Sequence, residues 1–169
     1  MELGFREDYL VSLMYRSGFV VERRIYADCT EANTYIGRPY VGQIPLNSMY
    51  LRNGWHPPEI LDFRWTTGSA LIPVPEAASQ AKVRFASHKP VSMDVSICVQ
   101  SDDGVRHLET MTPEPGQVVE IVVELMPRDR GILFECESWC PADLGSPDVR
   151  TLGIAVYDMT IMQMRPPSI

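Results

Sequence analysis

The sequence predicts a mainly β protein: an antiparallel β-sandwich, jelly-roll-like, with a short N-terminal helix-strand appendage. After residue 48, about nine short segments rich in β-branched and aromatic residues are separated by turn formers, at roughly the 8–12 residue spacing typical of sandwiches. No helical periodicity of useful length follows residue 48. We therefore expect an αβ appendage and linker at 1–38 and a β-sandwich domain at 39–169.

The N-terminal region predicts one helix followed by one strand. Four apolar residues share a face of the predicted helix at 7–16, which Gly18 would end. These apolar residues are Tyr9, Leu10, Leu13 and Met14. Residues 19–26 indicate a short strand, and the turn formers of 27–47 indicate a linker or irregular lead-in.

The remaining elements are predicted strands. Apolar and polar residues alternate most clearly at 80–87 and 92–100, as half-buried strands require. Asp103 and Gly104 favour a hairpin turn after the second of these strands. The alternation slips near Asp158, which predicts a bulge in the last strand. The predicted strands are 49–52, 60–65, 70–74, 80–87, 92–100, 105–110, 118–125, 132–137 and 151–164, with 140–149 as a loop.

Composition and charge exclude several classes of function. The formal net charge of −7 argues against nucleic-acid binding and against docking on anionic lipid, because both need a basic surface. No apolar run approaches 18 residues, so we expect no membrane insertion. The N-terminus lacks the apolar stretch of a signal peptide, and a cytoplasmic location is the expectation.

No motif predicts a cofactor, a metal or a catalytic centre. The histidines are scattered, and the sequence contains no P-loop, dinucleotide fingerprint or nucleophile elbow. The spacing of Cys136 and Cys140 does not fit a zinc knuckle. Reduced, partly buried thiols are the expectation, and a disulfide between these two cysteines is the alternative for an exported chain.

The stretch from residue 54 to 68 holds the most informative side chains. Tryptophan faces can stack on sugar rings while Glu59 or Arg64 hydrogen-bond hydroxyls, which makes Trp55 and Trp65 candidate ligand contacts. The same residues could instead close one end of a sandwich, with tryptophan in the core and Glu59 paired with an arginine. Trp139 is open to the same two interpretations.

A second distinctive stretch precedes the last strand. Asp148 and Arg150 are candidate ligand contacts, and a local ion pair or an Asp cap between them would fix the loop. Gly153, inside the predicted last strand, indicates that another group approaches the backbone closely.

Together the two stretches resemble a β-sandwich domain of bacterial cell-surface polysaccharide proteins, where it is attached to glycosyltransferase or methyltransferase domains. The resemblance runs from about residue 39 to 164. It is carried by Gly54, Trp55, Glu59, Arg64, Trp65, Asp148, Arg150, Leu152 and Gly153. Pro147 departs from the pattern, since a second acidic residue is common there. The resemblance implies carbohydrate binding or scaffolding and does not imply catalysis.

The N-terminal segment Y-L-V-S-L-M-Y-R-S-G-F-V-V-E looks like the last helix and strand of a class I methyltransferase fold. This likeness lacks a cofactor-binding glycine motif. It implies that the chain is the C-terminal portion of a larger enzyme.

The predicted function is a noncatalytic carbohydrate-binding or scaffolding module that is accessory to bacterial polysaccharide biosynthesis. Its expected partners are a glycan, an enzyme domain or a second copy of the chain. One alternative is a structural or oligomerisation domain of a larger glycosyltransferase or methyltransferase. A jelly-roll enzyme is another, and its local cluster would be His56, Glu59 and Arg64.

Overall fold

The computed structural model describes residues 9–10, 13–14, 19–25, 34–39, 42–46, 51–59 and 62–164, with backbone alone for 19–25, 34–39 and 163–164. The predicted helix at 7–16 therefore lies largely outside the described residues and is not shown. The strand predicted at 19–26 is present. The boundary between an appendage and a sandwich domain near residue 38 stays a prediction.

The described chain is mainly β and contains eleven strands. They are β1 (Phe19–Ile25), β2 (Thr34–Pro39), β3 (Gly42–Gln43), β4 (Arg64–Trp65), β5 (Ser69–Pro73), β6 (Ala78–Ala86), β7 (Val95–Ser101), β8 (Gly104–Met111), β9 (Val119–Glu124), β10 (Asp129–Cys136) and β11 (Ala155–Met164). A short 3-10 helix, Pro141–Leu144, follows β10.

Two antiparallel sheets form the main body. One has four strands in the order β5-β10-β7-β8, and the other has five, in which β3-β11-β6-β9 are neighbours and β4 also pairs with β11. β1 and β2 form a separate antiparallel pair. Because β11 pairs with β3, β4 and β6, it fixes both the lead-in segment and the Trp65 segment to the larger sheet.

Both sheets bury side chains in one hydrophobic cluster. Phe85 of β6 and Phe134 of β10 are fully buried, and their ring centroids lie 5.2 Å apart in an edge-to-face arrangement. Such a pair contributes about 0.5–1.5 kcal/mol beyond its buried area. The contact joins the central strands of the two sheets.

The predicted alternation is confirmed in the central strands. In β6, Val83 and Phe85 are buried while Arg84 between them is exposed. The predicted hairpin joins β7 to β8, where Gly104 has a φ of 133°. The register of β11 against β6 shifts between Val156 and Asp158, so the predicted bulge is confirmed.

Five sequence predictions need correction. The last strand, predicted at 151–164, begins only at Ala155, so Gly153 precedes β11 and does not lie inside it. The segment 27–47 is not only linker, because it contains β2 and β3. β3 pairs with β11, which is far away in the chain and which local turn composition does not reveal. In the strand predicted at 49–52, residues 51–52 are not in a strand, and 49–50 lie outside the described residues. The strand at 60–65 is reduced to Arg64–Trp65, and the predicted loop at 140–149 contains the 3-10 helix.

Two further findings concern the membrane and the cysteines. No helix among the described residues is long and apolar enough to cross a membrane. Cys98, Cys136 and Cys140 are free thiols, and Cys29 lies outside the described residues. The cytoplasmic location stays a prediction.

Candidate functional site

The two distinctive stretches of the sequence meet in the structure. The backbone N–H of Thr67 donates to the Gly54 carbonyl at 2.8 Å, and the N–H of Gly153 donates to the Thr66 carbonyl at 2.7 Å. Buried Thr66 adds a second link, since its hydroxyl lies 3.1 Å from the Ile154 carbonyl. Backbone hydrogen bonds therefore join three segments: the one around Trp55, the one after Trp65 and the one that precedes β11.

Gly54 and Gly153, two of the residues that carry the family resemblance, lie where these hydrogen-bonded segments leave no room for a side chain. A Cβ on Gly153 would lie 2.0 Å from the Thr67 carbonyl oxygen, and one on Gly54 would lie 1.7 Å from that of Ser69. Neither distance is sterically possible. The close approach predicted at Gly153 is confirmed, and the approaching group is backbone.

Trp55 and Arg64 lie in the interior. Trp55 is 8% exposed and its indole N–H donates to the Leu71 carbonyl at 2.8 Å. Arg64 is 7% exposed and its guanidinium carbon lies 5.6 Å from the centroid of the Trp55 ring. This placement favours the structural interpretation of both residues over ligand contact.

The Arg64 guanidinium holds the backbone of three separate positions. It donates to the carbonyls of Leu46, Leu51 and His56 at 2.9, 2.9 and 2.7 Å. Burial lowers the pKa of Arg64 from its ordinary value. The residue therefore holds the chain at Leu46, Leu51 and His56 against β4.

Glu59, Asp148 and Arg150 form an ion-pair network at the surface. Arg150 makes a two-pronged contact with Asp148, with Nε–Oδ1 at 2.9 Å and Nη2–Oδ2 at 2.7 Å, and its Nη1 also contacts Glu59. The hydrogen bonds from Arg150 lower the pKa of Asp148 to about 2, and those with Asp148 and Glu59 raise the pKa of Arg150. The predicted pairings of Glu59 with an arginine and of Asp148 with Arg150 are both present.

Trp65 and Trp139 belong to a set of partly exposed rings that we term the aromatic cluster. Its members are Phe63, Trp65, His88, Trp139 and Tyr157. Trp65 contacts Phe63 and His88 edge-to-face, with centroids 5.4 and 5.6 Å away, and lies 6.5 Å from Trp139. His88 Nε2 and the Tyr157 hydroxyl share a hydrogen bond of 2.8 Å. Burial raises the pKa of Tyr157, so this hydroxyl stays protonated at neutral pH.

Trp139 also lines a groove of about 270 Å³, which we term the Trp139 groove. Its remaining walls come from Lys89–Val91, from Glu137 and Ser138, and from the 3-10 helix region. Trp139 is fixed there by two backbone hydrogen bonds with Leu152, of 2.8 and 2.7 Å. Its indole Nε1 is buried and has no hydrogen-bond acceptor among the described residues.

Comparison with known proteins does not add a family. No protein-family model matches the chain, and no curated protein matches it significantly. The resemblance to polysaccharide-associated domains therefore stays a prediction that depends on the motif residues.

A second groove, of about 480 Å³, lies beside the β7–β8 hairpin. Its charged residues are already paired, Arg128 with Asp103 at 3.3 Å and Arg106 with buried Asp129 at 3.3 Å. None of the described residues that line it is aromatic. It is larger than the Trp139 groove but lacks a surface on which a ring could stack.

Each side chain of the candidate enzyme cluster already has a partner in the fold. Glu59 contacts Arg150, the His56 ring contacts the Thr151 carbonyl at 2.8 Å, and Arg64 is committed to buried backbone. Burial and the neighbouring Glu137 raise the pKa of Cys136 to about 11, so this thiol is a poor nucleophile at neutral pH. No group of three potential metal ligands occurs among the described residues.

Sequence reasoning missed Phe63, His88 and Tyr157 in the aromatic cluster, and Lys89 and Glu137 in the groove. For Tyr157, the sequence offered one signal: the slip in alternation near Asp158, because the bulge in β11 lies at Tyr157 itself. The other residues come from loops whose meeting depends on the fold.

Proposed function

We propose that this chain is a noncatalytic carbohydrate-binding module and that the Trp139 groove with the adjoining aromatic cluster is its binding site. The two antiparallel sheets would then be a jelly-roll-like β-sandwich that presents the site at one end. The observation that carries the proposal is that the partly exposed Trp139 ring lines a groove with both apolar and charged side chains, and lies 6.5 Å from Trp65 of the aromatic cluster. Aromatic faces with a few placed polar groups are what sugar recognition requires.

The polar groups around Trp139 support the same ligand class. Lys89 Nζ contacts Glu137 Oε2 at 2.6 Å, and the Glu137 side chain is 74% exposed. A carboxylate and an ammonium beside an indole can hydrogen-bond hydroxyls while the ring covers a C–H face of the sugar. Val91 and Leu144 add exposed apolar surface on the groove walls.

The site residues now separate into two groups. Trp65 and Trp139 are proposed to contact the glycan, while Trp55 and Arg64 hold the interior and Glu59, Asp148 and Arg150 fix the loop before β11. A role in bacterial polysaccharide biosynthesis, beside a glycosyltransferase or methyltransferase domain, is part of the proposal and is supported by the sequence resemblance alone.

An array of bacterial surface glycans tests the proposal. Wild-type protein should give signals, and Trp139→Ala should weaken them about tenfold or more, as loss of an aromatic anchor does. Trp139→Phe keeps a stacking face and should retain most of the signal. Val105→Ala, beside the second groove, is the matched control and should bind like wild type. Signals that survive both Trp139→Ala and Trp65→Ala would contradict the proposal.

A structural or oligomerisation role is the second candidate. Val91, Leu144 and Val149 are 59, 62 and 78% exposed, and the first two line the Trp139 groove. If this apolar surface joins two copies of the chain, light scattering should show a dimer that Leu144→Asp converts to a monomer. A strictly monomeric wild type would remove this candidate.

A further inference from the structure

We infer that the Trp139 groove selects uncharged glycans and rejects anionic ones, including uronic acids and the phosphates of nucleotide sugars. The inference rests on the proposed function and names the ligand class of the same site. It follows from the charges on the groove walls and from which of their oxygens remain available.

Among the residues that the structure describes, the groove carries one ammonium and two carboxylates. Lys89 provides the ammonium, and Glu137 and Asp143 provide the carboxylates. Lys89 is already engaged, since its Nζ lies 2.6 Å from Glu137 and its side chain is only 16% exposed. An incoming anion would have to compete with Glu137 for this single cation.

The charged groups that remain available on the walls are acceptors, and the Ser138 hydroxyl lies beside them. Within the described part of the chain, Asp143 accepts no side-chain hydrogen bond, and the bond that Glu137 accepts reaches Oε2 alone. Carboxylate oxygens accept from hydroxyl and amide N–H donors, which neutral and N-acylated sugars carry in abundance. A ligand carboxylate or phosphate offers acceptors and a like charge, so both terms oppose its binding.

The apolar walls act in the same direction. Pro90, Val91 and Leu144 border the groove, and all three are exposed. An ionic group seated against them would lose water without gaining a partner. The C–H face of a neutral pyranose ring suits this surface.

Matched glycan libraries test the inference. One library contains neutral oligosaccharides, and the other contains the same compounds after oxidation of their primary hydroxyls to carboxylates. Neutral compounds should bind, and their oxidised forms should bind about tenfold more weakly at low salt. The difference should shrink as salt is raised, because exposed charges are screened. UDP-glucose should show no binding.

The Glu137→Gln/Asp143→Asn double variant identifies the cause. It leaves Lys89 as the one charge among the described wall residues and should bring binding of the oxidised library close to that of the neutral one. Asp94→Asn, an exposed carboxylate that does not line the groove, is the control and should preserve the discrimination.

The outcomes separate the two proposals. If oxidised compounds bind as well as neutral ones, or if the double variant leaves discrimination unchanged, the charge inference is wrong while the carbohydrate site stands. If neither library binds, the proposed function itself fails and the inference fails with it. Thermal unfolding of each variant verifies that the exposed substitutions leave the fold intact.

Discussion

Replacement of Arg64 by methionine should destabilise the protein more than any other arginine substitution among the described residues. Methionine keeps much of the aliphatic stem but removes the guanidinium. Three backbone carbonyls, those of Leu46, Leu51 and His56, would then lose their donor. The stacking contact with Trp55 would be lost as well.

The magnitude follows from those contacts. Hydrogen bonds to charged groups contribute about 1.5–3 kcal/mol each, and unsatisfied buried carbonyls cost about 1–3 kcal/mol. The terms do not add fully, because removal of Arg64 also removes the cost of burying its charge. We expect the free energy of unfolding to fall by about 3 kcal/mol. Arg64→Lys should lose about 2 kcal/mol, since an ammonium cannot reach three diverging carbonyls.

Urea denaturation followed by tryptophan fluorescence measures this loss as a shift of the midpoint at constant m-value. Arg84→Met is the matched control. Arg84 is 48% exposed and 4.0 Å from Glu120, so its loss should change stability by no more than about 0.5 kcal/mol. A loss below about 1 kcal/mol for Arg64→Met would refute the assignment of Arg64 as the residue that holds the backbone at Leu46, Leu51 and His56.

Two further predictions concern the loop before β11. Gly153→Ala should destabilise the fold severely in thermal unfolding, because its Cβ would overlap the Thr67 carbonyl. Gly145→Asn, at a left-handed position in open space, should cost only about 1 kcal/mol, because backbone strain is its one penalty. Equal effects of the two would contradict the packing argument. The second prediction concerns pH. Arg150 depresses the pKa of Asp148 to about 2 in the folded protein, whereas the unfolded value is near 4. The charged carboxylate therefore stabilises the fold above pH 4, and this stabilisation is lost as the pH falls toward 2. The stability difference between wild type and Asp148→Asn should therefore shrink across that window; a constant difference would exclude the linkage.

The strands that the sequence predicts correctly are those in which apolar residues occupy one face and polar residues occupy the other. In β6 and β7, apolar residues such as Val83 and Ile97 alternate with polar ones because one face meets the core. β2 and β3 carry no such signal. β3 has two residues and exists because β11 provides its hydrogen-bonding partner, so its formation depends on a distant segment.

The ion pair between Asp148 and Arg150 was predictable because the residues are two apart. The buried positions of Trp55 and Arg64 were not, since both side chains combine apolar area with polar groups and suit either an interior or a binding surface. The aromatic cluster was hidden for another reason. Phe63 and Tyr157 are far apart in the chain, and the bulge in β11 decides which way the second one points.

The indole N–H resonances of the three tryptophans provide the most direct test of the carbohydrate site. They can be assigned by single Trp→Phe variants and followed by NMR during titration with the neutral oligosaccharide that gives the strongest array signal. The Trp139 resonance should shift to saturation, and the Trp55 resonance should not move, because its N–H is bonded to Leu71 in the interior. Movement of Trp55 without Trp139, or no movement of any indole with every oligosaccharide tested, would contradict the assignment of the Trp139 groove.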